Sequence, residues 1–263
     1  MDSYELPVGI RTVQVRGNKV FTNNKPFYFT GFGKHEGTAT RELVARDRNH
    51  PFVVMWAVVN EPAASEQGTQ EYLEPLAVLT RRLDPTRPVC YANEYQASVD
   101  KCLLSDLFDV LCLNRCYGWY LHTGDLEAAE EGLEKGLSGR EEKFRKPIIM
   151  PEYGADTLAG LHTIGDVPWS EEHQSRVLEM SHGAFDRVES VVGEHVWNCA
   201  DFQTPSSFIF RVASNKKGVF TRDRRPKMAA HVLRKRWTEQ RPKELAPGTS
   251  LSNVQAAVCD THE

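Results

Sequence analysis

From residue 27 onward, short apolar runs alternate with stretches whose apolar residues recur at helical spacing. The strand-like runs are 27–32, 52–59, 88–92, 110–113, 147–150 and 191–199. Between them, 41–48, 71–83, 126–146, 170–188 and 227–237 read as helices. In the second of these, Tyr72, Leu76, Leu79 and Leu83 share one face, and Asp84-Pro85 closes it. Ser170 followed by Glu171-Glu172 is a helix start, a capping hydroxyl with acids in the first turn. Strands buried on both faces and alternating with helices point to a parallel α/β architecture. A closed (β/α)8 barrel needs eight strands in typically ~250 residues. Six strands are read here, so an open parallel sheet stays as an alternative.

The two ends of the chain follow other patterns. Residues 9–16 alternate apolar and polar, Gly17-Asn18-Lys19 makes a turn, and Asn23-Asn24-Lys25-Pro26 makes a second. Residues 1–26 therefore read as the last strands of an immunoglobulin-like β-sandwich, and 27–238 as the α/β domain. Residues 239–263, rich in Pro, Gly, Ser and charge, read as a disordered tail.

With 26% charged residues, 40% hydrophobic residues and a net charge of −4, the balance is that of an ordinary globular protein, without a nucleic-acid footprint. No apolar run is long enough to span a bilayer. Met1-Asp2-Ser3-Tyr4-Glu5 lacks the basic start and apolar core of a signal peptide, and no N-x-[ST] acceptor occurs, so the expected location is cytoplasmic. The six cysteines are scattered, with no C-x-x-C pair and no His partners at metal-site spacing; they read as free thiols.

Two strings carry candidate chemistry. Asn60-Glu61-Pro62 ends one buried run and Glu152-Tyr153-Gly154 ends another. A strand-end glutamate is usually a solvated loop residue. Two of them after buried strands suggest a carboxylate pair, because the βα loops form the active face of a β/α barrel. Such pairs drive glycoside hydrolysis, and an amide beside the acid, here Asn60, can donate to a sugar hydroxyl next to the reacting carbon.

At this point the chain resembles the C-terminal half of the β-glucuronidases of glycoside hydrolase family 2. The resemblance rests on PFYFTGFGKHE (26–36), NHPFVVMWAVVNEP (49–62), PEYGADTLAGLH (151–162), VVGEHVWNCADF (191–202) and NKKGVFTRDRRPK (215–227). It implies a retaining mechanism, with Glu61 as acid/base, Glu152 as nucleophile and their carboxyl groups ~5–5.5 Å apart. It implies an acid whose pKa is raised by burial and by the neighbouring carboxylate. It assigns Asn215 and Lys217 to a clamp for the sugar carboxylate, and His35, Asn60, Asn114, Tyr120, Trp197 and Arg211 to the substrate pocket. The substrate implied is a β-glucuronide, with no cofactor and no metal. Family members are often oligomers, and nothing in this sequence argues for assembly.

The resemblance is incomplete in three places. The family's N-terminal sugar-binding-like module is missing. Two barrel strands expected between Glu36 and Arg41 are also missing, so the fold expected is an incomplete (β/α)8 TIM barrel whose flanking strands lie apart. Cys116 stands where the family usually has a tyrosine touching the nucleophile. Two other readings remain: a non-catalytic carbohydrate-binding or interaction remnant, and a related galacturonidase.

Overall fold

The computed structural model describes residues 11–32, 40–204 and 214–239. A parallel sheet of six strands forms its centre: β4 (Phe29–Phe32), β5 (Trp56–Asn60), β6 (Val89–Asn93), β7 (Val110–Asn114), β8 (Ile148–Glu152) and β9 (Val191–Val196). Their spatial order is β4-β9-β8-β7-β6-β5. Consecutive strands from β5 to β9 are neighbours, as in a β/α barrel. β4 and β5 hold the two opposite edges, so the sheet is open where the chain passes from one to the other. The expected gap is there. The two strands named as missing would fall around residues 36–41, of which 36–39 lie outside the described residues.

Five helices follow the predicted pattern: α1 (Thr40–Asp47), α2 (Thr69–Leu83), α3 (Leu126–Phe144), α4 (Glu171–Arg187) and α5 (Met228–Thr238). The Asp125 carboxylate caps α3 by accepting from the Ala128 N–H at 3.0 Å. Ser170 caps α4 by accepting from the His173 N–H at 3.1 Å.

The sheet buries both faces, and the period of two along its strands sorts the side chains. Leu111, Leu113, Ile148 and Met150 pack outward against Leu133 and Leu137 of α3, Leu178 and Phe185 of α4 and Leu233 of α5. Cys90, Val110, Cys112, Ile149 and Val192 point the other way. There they meet Val13 and Val20 from an antiparallel unit of β1 (Val13–Arg16), β2 (Lys19–Thr22) and β3 (Lys25–Pro26). The N-terminal strands thus seal the inner face of the sheet. Two short strands, β10 (Phe202–Gln203) and β11 (Ser214–Asn215), pair near the ends of the barrel strands. The 240–263 part of the predicted tail lies outside the described residues.

Candidate active site

Both glutamates stand at the C-terminal ends of their strands, and both strands carry a bulge just before them. On β5, Ala57 pairs with Cys90 but Asn60 with Ala92, so β5 has one extra residue. On β8, Ile149 pairs with Cys112 but Glu152 with Asn114, so β8 also has one extra. A bulge re-aims the residue that follows it. It also accommodates Pro151, which cannot donate to a ladder. Glu61 adopts a left-handed backbone, φ 49°, and its N–H bonds the Ala92 carbonyl at 2.8 Å. A non-glycine residue held there carries strain of about 1–3 kcal/mol, a cost common at functional sites.

Asn114, the last residue of β7, lies between the two carboxylate strands. Its amide donates to Asn60 Oδ1 at 3.1 Å and to Glu61 Oε1 at 3.0 Å. Asn114 is buried and its own Oδ1 has no partner among the described residues.

Glu61, Asn114, Cys116, Tyr120, Glu152, Trp197 and Lys217 line one cavity of about 160 Å³, together with Tyr95, Gln96 and Leu121. The last three carried no motif and were not singled out in the sequence. Asn60 and Asn215 are not in that wall. Asn60 is one hydrogen bond away through Asn114. Asn215 is fully buried and accepts from the Lys217 N–H at 3.1 Å, while its Nδ2 has no partner among the described residues. His35 and Arg211 lie outside the described residues.

Lys217 is a buried cation, 3% exposed. Its Nζ lies 3.3 Å from Cys116 Sγ and 4.0 Å from the centre of the Tyr120 ring. Burial lowers its pKa, while Cys116, Tyr120 and Asp156 act the other way, and the net direction is up. Burial pushes the Cys116 thiol up, against Lys217, which draws it down, so the thiol is neutral at pH 7. A cation over an aromatic face in a desolvated site is worth about 2 kcal/mol or more.

The loop that delivers Lys217 is threaded through the ends of β8 and β9. Asn198 N–H bonds the Lys217 carbonyl at 3.1 Å and Val219 N–H bonds the Asn198 carbonyl at 3.0 Å. A side chain at Gly218 would meet backbone atoms of Ala200, Asp201 and Phe220 at 2.2–2.5 Å, so only glycine fits. Gln174 of α4 clasps the same loop through the carbonyls of Ala155, Lys217 and Gly218. Trp197 is turned edge-on to Phe202, ring centres 5.9 Å apart.

Behind Glu152 lies a buried polar chain that the sequence did not reveal. Tyr153 and His182 are hydrogen-bonded at 2.9 Å, and Glu194 gathers Tyr28, Arg236 and Trp237 at 2.8–3.2 Å. Burial would push Glu194 up, but Arg236, His182 and Tyr28 hold it below the usual carboxylate range. Among the described residues no group of His, Cys, Asp and Glu could hold a metal ion.

Comparison with known families matches residues 37–241 to "Glycosyl hydrolases family 2, TIM barrel domain". The chain belongs to glycosyl hydrolase family 2. It is 38% identical to a beta-glucuronidase of Streptococcus agalactiae and 35% identical to that of Homo sapiens, in each case over 90% of this chain. The chain spans about half the length of these relatives, 54% and 48%. The bacterial alignment runs over 325 residues, more than the 263 of the whole chain, so within the matched span that family-2 relative has residues without counterpart here. Among solved structures, a β-D-glucuronidase of Dictyoglomus thermophilum superposes with a TM-score of 0.85 at 36% identity, over 90% of this chain and 55% of that one. A Ruminococcus gnavus β-glucuronidase in complex with D-glucuronic acid gives 0.84 at 33%, over 88% and 53%. The family-2 barrel is therefore present here in incomplete form. No described helix is long and apolar enough to cross a membrane.

Proposed function

We propose that this chain carries the catalytic part of a β-glucuronidase, which cleaves β-D-glucuronides with retention through a glucuronyl-enzyme. The observation that carries this reading is the meeting of Glu61, Glu152 and the buried Lys217 ammonium in one cavity. Glu152 attacks the anomeric carbon. Glu61 first protonates the leaving oxygen and then takes a proton from water. Asn114 fixes Glu61, and because Asn60 Oδ1 is engaged with Asn114, the Asn60 amide hydrogens are left for a sugar hydroxyl. Lys217 supplies the cation for the sugar carboxylate, and Asn215 Nδ2, without a partner among the described residues, is a second donor two residues away in the chain. His35 and Arg211 are proposed for the pocket on the resemblance alone.

The test is release of nitrophenol from nitrophenyl β-glucuronide, with β-galacturonide and β-glucoside analogues beside it. Turnover of the glucuronide that falls at least about 10³-fold in Glu152→Gln supports the reading. Preference for the galacturonide replaces the substrate. The open sheet favours one other reading, a carbohydrate-binding remnant. A folded chain that binds glucuronic acid and turns over no glycoside would establish that reading instead.

A further inference from the structure

A cavity larger than the one between the glutamates lies beside it. A space of about 760 Å³ lies under α3, against the loop that follows β6, and takes in Arg115, Arg140, Tyr117 and Leu133. That volume is in the range of clefts that hold small organic ligands. Tyr95 lines both, so the two spaces adjoin.

Two arginines are buried in its wall, Arg115 at 6% and Arg140 at 3% exposure. Neither has a carboxylate within ion-pair distance among the described residues. Arg115 donates to the carbonyls of Asn93 and Asn114 and to the Asn93 side chain. Arg140 donates to the carbonyls of Ala97 and Gly136, and its buried Nε has no partner at all among the described residues. Burial and the neighbouring Arg140 push the Arg115 guanidinium down to about 9, with Tyr117, Tyr91 and the buried Glu94 acting the other way from beyond ion-pair distance. Buried charges are normally paired, because desolvation is costly otherwise. The acids that reach this cavity, Asp100 and Glu142, are exposed at its mouth, where Lys135 and Lys143 are exposed beside them. The room itself comes from Gly132, Gly136 and Gly139 on the facing side of α3.

We propose that this cavity binds an organic anion, a carboxylate or phosphate on an apolar body, with the head group between Arg115 and Arg140. Two guanidiniums match the planar, bidentate recognition of either head group. Leu113, Leu133, Leu137 and Tyr117 supply the apolar wall. The site is independent of the glucuronidase reading, since it uses neither glutamate.

The test is calorimetric titration and thermal unfolding of the purified chain with phenyl phosphate, with phenylacetate, and with benzyl alcohol as the uncharged analogue, at matched ionic strength. Saturable binding of at least one anion is expected, with Tm raised by about 3 °C or more near tenfold excess over Kd. Binding of one anion and not the other supports the site and assigns the head group. Arg140→Gln should abolish binding. Gly136→Leu keeps both arginines and fills the space, since a Cβ there meets only the Arg140 guanidinium at 3.9 Å. It should abolish binding too, which keeps the test valid if Arg140→Gln does not fold. Lys217→Met, which removes the cation of the other cavity, should leave binding unchanged. No saturable anion binding, equal binding of benzyl alcohol, binding that survives Gly136→Leu, or binding lost in Lys217→Met overturns the proposal.

Discussion

The two glutamates are held in place by different means. Glu152 ends β8, a strand flanked by β7 and β9 and packed between α3 and α4 on one side and the N-terminal strands on the other. Its successor Tyr153 is fully buried against His182 and Phe185. Glu61 follows β5, an edge strand with one neighbour, where Ala57 is exposed and Val58 and Val59 are half-buried. The scaffold positions Glu152, whereas Glu61 is aimed by one backbone bond to Ala92 and one side-chain bond from Asn114. On the open side of the sheet, the glutamate is thus held by a hydrogen bond reaching across from β7 rather than by packing on both flanks.

The largest effect should fall on the well-packed side. Burial lowers His182 and His195, beside β8, to about 4. Their folded values lie below the unfolded value of about 6.5, so the unfolded chain binds more protons between pH 6.5 and 4. Their contribution is complete above pH 6.5 and is lost as pH falls toward 4, by about 3 kcal/mol each. Thermal unfolding scanned from pH 7 to pH 4 checks this, with His195→Gln flattening the slope by half. A flat profile in the unmodified chain would refute it.

A smaller effect should separate the two glutamates. Asn114→Ala removes the side-chain bond that aims Glu61 and leaves Asn60 Oδ1 without its donor, about 1–3 kcal/mol, or roughly 5–150-fold in kcat/KM for a glucuronide. A loss under about threefold would mean that β5 positions Glu61 unaided. Smallest of all should be Cys116→Ala. A neutral thiol is a weak partner for Lys217, and a change in KM below about threefold is expected. A larger rise in KM would give Cys116 a part in holding the lysine.

Much of the scaffold was legible because its signals are local. Each strand of the six-stranded sheet and each helix lies within a few residues of its expected position, and Asn60-Glu61 and Glu152 fall at strand ends as read. The 52–59 run was read as strand too early. Phe52 is 81% exposed and the Val53 carbonyl is taken by the side chains of Arg11 and Arg87, so pairing begins only at Trp56. What was not legible depends on residues far apart in the chain. The Asn114 bridge, the clasp of Gln174 on the Lys217 loop and the Arg115–Arg140 wall are set by register and topology, which no spacing reveals. The bulges on β5 and β8 were hidden for the same reason, because a bulge exists only relative to its partner strand.

The order of strands across the sheet also sets an order in time. β4 is the first barrel strand to leave the ribosome, yet its only neighbour is β9; Tyr28 and Glu194, bonded across that seam, are 166 residues apart. Pairs from β5 to β9 can add one after another as they are made. β4 and the N-terminal hairpin must wait for the whole of that growth, and until then the inner face lined by Cys90, Val110 and Ile149 has no cover. The last seam to close is thus the one between β4 and β9, and such long-range closure is slow.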